Sequence, residues 1–364
     1  MTSGMSDAPR WIPRLERERL AVLPPAPPID AADLADRVRG MLLGVAIGDA
    51  LGNRTESMLP DERAAQYGRI SGYLPSRYAG GRPAGTPSDD TQLTARAIEQ
   101  LLADGALDPD ELAFRIANDR IFGIGRATRE FCNALRAGAP WWEATQASAG
   151  NGALMRMAPT VLPHLVNGGT HLWYDTAVST SVTHNDPMAI AASVAWVALL
   201  WRLLNGDLPE NGEEWLETYT EVLRVLDAGQ EYETRLRDGP LQHWRGSLSQ
   251  LLDGHVRRAI GARTSVADGG HRWYSGAYLL ETVPSVMHIL GLFGDDPHAA
   301  ILAAVNDTRD NDTIAALVGA AMGAAHGTAW IPTEWRDQLL GRTLEDNDGH
   351  YFDLIEQAVA RFVS

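Results

Sequence analysis

The chain is poor in several things that would have narrowed its class. It has one cysteine, Cys132, so an intrachain disulfide is excluded and nothing points to an oxidising compartment. Basic residues are in deficit: 31 Lys plus Arg face 47 Asp plus Glu, a formal charge of −16. That surplus argues against a nucleic-acid footprint or an anionic membrane surface as partner, although a local pocket can still carry the opposite sign. The first thirty residues lack the basic, apolar and small-residue order of a secretory leader. The longest apolar run, "MAIAASVAWVALLWRLL", is interrupted by Arg202 and reads as a buried core helix rather than a membrane span. The expectation is a cytoplasmic protein with no membrane and no nucleic acid among its partners. Alternating strand patterns are nearly absent as well.

Helical periodicity fills the chain instead. In "ADLADRVRGMLLGVAIGDALG", Leu34, Val38, Met41, Leu42 and Val45 share one helical face. "SDDTQLTARAIEQLLADG" begins with a capping-type residue and stops at glycine. "DPMAIAASVAWVALLWRLLNG", "GEEWLETYTEVLRVLDAG" and "TIAALVGAAMGAAHG" predict three further helices. The fold class is therefore all-α, with polar chemistry carried by the connections. No repeat of twenty to fifty residues is present, which disfavours a solenoid. Residues 1–30, with "LPPAPP", read as an N-terminal arm, extended or flexible, and residues 31–364 as one domain. Residues 206–270, richer in charge and glycine, read as a peripheral helical excursion.

Two predicted helices carry glycine every fourth residue: Gly40, Gly44, Gly48 and Gly52, then Gly319, Gly323 and Gly327. Each interior glycine costs a helix about 1 kcal/mol relative to alanine, so something must offset it. Close approach of the two backbones is the usual return. It predicts two deep, mutually packed helices, with the acids ending the first near those starting the second.

Those acids form three groups. "GDALGNRTES" places Asp49 in a last helical turn and Glu56 in the loop beyond. "PSDDTQL" places Ser88, Asp89 and Asp90 at a helix start, and "VNDTRDNDT" places Asp307, Asp310, Asp312 and Thr313 at another. Singly, the second and third groups are accounted for by helix capping. Asp49 is not, because an acid near a helix C-terminus faces the wrong end of the dipole and needs a donor or a cation. Together the groups exceed what capping requires, since clustered buried carboxylates must protonate or be neutralised. Carboxylate and hydroxyl oxygens without thiolates suit Mg²⁺, Mn²⁺ or Ca²⁺, and no Cys/His spacing suggests zinc. Two such groups look like halves of a two-ion site.

In this order, "GDALG" with Glu56, "SDDT", "GNGALMRMAP", "THNDPMA" and "DNDTIAALVGAAMGA" resemble the ADP-ribosylglycohydrolase family, the ADP-ribosyl-acceptor hydrolases that include the dinitrogenase reductase-activating enzyme. The resemblance implies a compact single-domain orthogonal helical bundle with a binuclear metal cleft. It implies two Mg²⁺ ions, or Mn²⁺, held by Ser88, Asp89, Asp90, Asp310, Asp312 and Thr313. It makes Glu56 the catalytic carboxylate beside the reacting ribose, either activating water or assisting the leaving group. The substrate it implies is ADP-ribose on a protein side chain, arginine foremost, with O-linked serine or a small ADP-ribose derivative as alternatives. An oxocarbenium-like transition state at C1″ is the kind that anionic oxygens stabilise.

Three loops complete the expected substrate site. "IFGIGRATREF" offers Gly123, Gly125 and Thr128 ahead of a helix, a backbone nest suited to a diphosphate or simply a turn. "SAGNGALMRMAP" offers Gly150, Asn151 and Gly152 before a predicted helix, with Arg156 either a phosphate partner or, more in keeping with its place, one half of a core-edge salt bridge. His184 in "SVTHNDPMA" reads as a structural histidine from its residues alone and as a substrate neighbour by the resemblance. "SGAYLLET" resembles another family segment near the cleft. Two departures bear on acceptor preference: Thr308 and Arg309 replace glycines common before the last motif, and Ser57 replaces an aromatic. Arg309 is expected to pair with Asp307 or to reach substrate. Two rival classes remain: a non-catalytic ADP-ribose binder, and an Asp-rich isoprenoid synthase, for which "DDTQL" lacks the second acid of its motif.

Overall fold

The computed structural model describes residues 14–77, 84–342 and 349–363. The chain is 64% helical, and among the described residues only two short strands occur, an antiparallel pair at Tyr232–Glu233 (β1) and Arg245–Gly246 (β2). Nine helices position the site: α1 (Leu34–Gly52), α2 (Asp89–Asp104), α3 (Arg126–Arg136), α4 (His171–Thr183), α5 (Pro187–Leu204), α6 (Gly212–Leu226), α7 (Leu279–Phe293), α8 (Pro297–Asp307) and α9 (Asn311–His326).

The centre of the fold is the antiparallel pair α1 and α9, packed backbone to backbone. A Cβ placed on Gly40 would meet the carbonyls of Gly323 and Gly327. On Gly44 it would meet the carbonyl of Gly319, and on Gly48 that of Ala315. At Gly52 it would come 2.5 Å from Asp312 N and 2.6 Å from Asn311 O. The predicted glycine faces therefore do meet. This contact brings the C-terminal end of α1, with Asp49, against the N-terminal end of α9, with Asp312. Both helices are buried nearly all round, as their small-residue sequences require.

Around this pair, α5 is a core helix. Its side chains from Met188 to Leu204 are buried apart from Arg202, whose guanidinium reaches Glu221 on the surface. Burying each large apolar side chain contributes about 1.5–3 kcal/mol, which is what holds so hydrophobic a helix inside the fold. Two sequence expectations need correction here. Residues 206–270 are not wholly peripheral: Trp215, Leu216, Tyr219 and Leu223 of α6 are buried, and the Tyr219 hydroxyl donates to Ala192 O of α5. The charges on α6 lie on its outer face, which is what made the segment read as an excursion. Beyond Gly152, where a helix was predicted, the chain makes 3₁₀ turns at Leu154–Arg156 and Ala158–His164. Pro159 and Pro163 lack the N–H groups that a regular helix needs there.

Residues 1–13 of the arm lie outside the described residues. From Arg14 to Leu20 the arm is helical. The indole of Trp173 donates to Pro24 O and that of Trp201 to Pro27 O, fixing the proline segment against α4 and α5.

Candidate active site

The N-cap side chains of α2 and α9 do not cap their own helices, and of the acids behind them Asp312 accepts from Thr313 N (2.9 Å) in the first turn of α9. Ser88 and Asp310 occupy the N-cap positions, yet neither side chain accepts a capping hydrogen bond. Asp49, from α1, takes over at α2: it accepts from Ser88 N (2.8 Å) and Thr91 N (3.1 Å), and from the hydroxyls of Ser88 (2.5 Å) and Thr91 (2.6 Å). Asn53 Nδ2 adds a further donor at 3.3 Å. This answers why an acid stands at the unfavourable end of α1: four donors from the facing helix start offset the dipole. It also frees Asp89 and Asp90 from capping. Ser88 spends its proton on Asp49 and keeps lone pairs for another partner.

The freed carboxylates converge. Oxygens of Glu56, Asp310 and Asp312 lie within 4.8 Å of one another. Thr313 Oγ1 is 3.5 Å from Asp90 Oδ2, which ties the start of α9 to that of α2. Asp307 falls outside this group, at the end of α8, where the charges of Arg63 and Arg69 face it. Burial raises Asp89, Asp90 and Asp312 well above the usual carboxylate range, and repulsion from the neighbouring acids adds to it. Burial likewise lifts Asp310 to about 6 and Glu56 to about 7. So many carboxylates in one dry place are an unstable arrangement without a counter-charge. Asp90 Oδ1 is buried with no hydrogen-bond partner. An orphaned anionic oxygen beside hydroxyl and carboxylate oxygens is the donor chemistry of a hard divalent cation, so these residues fit such an ion.

The loop bearing Glu56 is fixed by groups that sequence reasoning missed. Arg63, almost fully buried, donates to Thr55 Oγ1 (3.0 Å), Met58 O (3.2 Å) and Asn306 O (2.8 Å). Asn311, between the two aspartates of α9, donates to Thr55 Oγ1 (3.0 Å). Ser57 holds positive φ (70°), and its N–H donates to Arg309 O (2.8 Å). Only Asn311 had a sequence signal, its place inside "DND".

A cavity of about 640 Å³ opens over the acids. Glu56, Asp89, Asp310, Asp312 and Thr313 line it, together with Gly123, Gly125, Thr128, Gly150, Asn151, Gly152 and His184, while Ser88 and Asp90 are buried and outside its lining. Gly123 has positive φ (92°), and Gly125 precedes the first turn of α3. Gly152 lets His184 approach: a Cβ there would lie 3.0 Å from the imidazole Cε1. Asn151 is turned inward, its amide donating to Asp310 Oδ2 (2.5 Å) and Thr282 Oγ1 (3.0 Å).

Arg156 is neither a phosphate partner nor half of a salt bridge. It is fully buried and donates to Ser179 O (2.7 Å), Ser179 Oγ (3.1 Å) and Thr183 Oγ1 (3.1 Å). Thr183 Oγ1, accepting there, can give its own proton to His184 Nδ1 at 2.9 Å. That relay leaves His184 Nε2 carrying its hydrogen. Burial, reinforced by the Arg156 charge, lowers the imidazole to about 3, so it is neutral. Arg309 does not pair with Asp307; its guanidinium lies 4.2 Å over the Tyr274 ring. Glu281, from the "SGAYLLET" segment but not singled out there, lines the cavity with burial lifting it to about 7.

The fold and site thus define an all-α protein with a carboxylate-floored cleft lined on one side by glycine loops. The sequence model of the ADP-ribosylglycohydrolase family matches residues 30–363, and the chain belongs to that family. It is 28% identical over 349 residues to the ADP-ribosylarginine hydrolase Tri1 of Pseudomonas putida (strain GB-1), covering 91% of this chain and 79% of that protein. It is 27% identical over 317 residues to the ADP-ribosyl-[dinitrogen reductase] glycohydrolase of Rhodospirillum rubrum, covering 84% and 90% respectively. A solved ADP-ribosylglycohydrolase-related protein complex shares the fold at TM-score 0.68 and 24% identity, over 92% of this chain and 99% of that one.

Proposed function

We propose that this protein hydrolyses the C1″ glycosidic bond of ADP-ribose attached to a protein side chain, with arginine as the acceptor, using two Mg²⁺ ions, or Mn²⁺. One observation carries the reading: the N-cap side chains Ser88 and Asp310 cap neither α2 nor α9, and Asp310 and Asp312 meet Glu56 beneath a cavity that Asp89 also lines. The arginine linkage draws its support from the two hydrolase relatives, whose names specify ADP-ribosylarginine and dinitrogen reductase.

In this reading Ser88, Asp89, Asp90, Asp310, Asp312 and Thr313 hold the ions. When bound, these would neutralise the carboxylates and polarise ribose hydroxyls and a water. The remaining work falls to the chain itself. Asn151 and Asn53 orient carboxylates by hydrogen bonding, to Asp310 and Asp49 respectively. The turn at Gly123 and Gly125, with the N-terminus of α3, receives the diphosphate on backbone N–H groups. His184 supplies a neutral Nε2–H donor to the ligand. Glu56 accepts a proton from the attacking water as its oxygen bonds to C1″. The C1″–N bond breaks, its electron pair passes to the guanidine nitrogen, and that nitrogen takes up the proton Glu56 accepted, which restores the Glu56 carboxylate.

The test is hydrolysis of arginine-linked, serine-linked and small-molecule ADP-ribose, with and without Mg²⁺. Mg²⁺-dependent release from arginine is the expected result. Release from serine alone would move the acceptor, and no release from any of them with metal bound would favour a non-catalytic ADP-ribose binder.

A further inference from the structure

Tyr274 and Ser275 are adjacent non-glycine residues at positive φ, 80° and 47°. Such backbone is strained for a side-chain-bearing residue and persists only where its surroundings enforce it. Here the Ser275 carbonyl accepts from Asp310 N (3.0 Å) and its hydroxyl from Arg309 N (3.1 Å), so the strained pair is tied to the start of the last acidic motif. Tyr274 stands between two cavities. One is the cavity over the carboxylates. The other, of about 500 Å³, shares Arg235, Arg237 and Tyr274 with it and extends to His271 and Arg309, which the first does not touch.

The charge of this second cavity runs against that of the protein. The chain has no lysine, so all 31 of its basic side chains are arginines in a molecule of net charge −16. Some find acids, as Arg224 and Arg257 do with Glu217 and Asp253, and buried ones such as Arg63 and Arg156 spend their N–H groups on carbonyls and hydroxyls. Arg235, Arg237 and Arg309 form no ion pair among the described residues. Two of them lie on rings instead, Arg235 at 4.0 Å over Tyr278 and Arg309 at 4.2 Å over Tyr274. A guanidinium stacked by its face keeps its N–H edges for a carboxylate. The wall also holds two acids: Asp238, and Asp307, which already faces Arg63 and Arg69. Leu59, Pro60 and Leu236 make part of it apolar. That mixture suits a polypeptide better than a polyphosphate.

We propose that the second cavity holds the target protein: a segment with aspartate or glutamate close to the modified side chain, its carboxylates engaging Arg237 and Arg309. The proposal rests on the hydrolase reading above, since it takes the substrate to be a modified polypeptide. It makes the cavity a specificity determinant, selecting acidic sequence contexts despite the repulsion of the whole molecule.

Two measurements test it. In the first, fluorescence anisotropy compares a labelled, unmodified arginine peptide with acidic flanks against its Asn/Gln counterpart. The acidic peptide should bind about five- to tenfold more tightly, and added salt should erode the difference. Arg237→Gln should bring the ratio near one, and Arg237→Glu, on an exposed side chain, should invert it. In the second, kcat/KM for the same two peptides carrying ADP-ribose should show the same ratio, with free ADP-ribosylarginine as the baseline. Equal binding of both peptides, or displacement of neither by the other but of both by a nucleoside diphosphate, would overturn the proposal. Loss of turnover on every linkage with the peptide preference intact would count against the hydrolase reading and leave the acidic-peptide site standing.

Discussion

Replacing Gly44 by alanine tests the contact that brings the acids together. Helix propensity alone predicts stabilisation of about 1 kcal/mol, because an interior glycine is the poorer helix former. The structure predicts the opposite. The new methyl group would fall inside the carbonyl of Gly319 and 3.1 Å from Ala320 N, and both are backbone atoms of a buried helix with no rotamer to change. Overpacking of a rigid core costs about 1–3 kcal/mol, and the upper end applies where backbone must move. After the propensity gain, a net loss of about 2 kcal/mol remains. Gly44 lies eight residues from Gly52, about 12 Å along the helix, so separation there is transmitted to the contact with Asp312. Denaturant unfolding should therefore show a lower midpoint at unchanged slope. Mn²⁺ titration of the folded variant should show weakened binding. An alanine variant about 1 kcal/mol more stable than the parent, binding Mn²⁺ equally well, would refute the backbone-to-backbone contact.

Asp312→Asn should abolish divalent-ion binding in calorimetry, and unchanged stoichiometry would remove this residue from the ligand set. Glu56→Gln should lower kcat by about 10²-fold or more while leaving the thermal midpoint within a degree or so, as removal of a proton acceptor does; full activity would exclude its role. Saturating Mg²⁺ at about a hundredfold over Kd should stabilise the protein by roughly 2.7 kcal/mol for each independent ion, about 5.4 kcal/mol for two, and chelation should reverse it. Buried His288 is pushed down to about 4 from an ordinary 6.5, burial being the main cause. A depressed histidine leaves stability intact above pH 6.5 and withdraws it as pH falls toward 4, on the order of 3 kcal/mol in all. His288→Gln should remove one proton from that slope, and an unchanged pH profile would sink the assignment.

Much of this architecture was legible in the chain because it is written in local patterns. The glycine stripes of α1 and α9 stated in one dimension what their packing shows in three. The misfit of Asp49 at a helix C-terminus announced that it needed a donor or a cation, although not that donors from the start of α2 would answer it. The seat of Arg63 depends on contacts between distant segments that no local pattern marks, while Asn311 and Glu281 are marked only by lying inside "DND" and "SGAYLLET". Arg156 was misjudged for the reason that hid Arg63: it reads in sequence as half of a core-edge salt bridge or a phosphate partner, and its carbonyl and hydroxyl acceptors come from α4. The charged face of α6 hid its apolar one, and two prolines turned a predicted helix into 3₁₀ turns.

Anomalous diffraction from crystals grown with Mn²⁺ would test the central claim most directly. Two manganese peaks between the starts of α2 and α9, within coordination distance of oxygens from Ser88, Asp89, Asp90, Asp310, Asp312 and Thr313, are the result this account predicts. A cleft without manganese at saturating concentration, its carboxylates neutralised by protons or by neighbouring arginines, would contradict it.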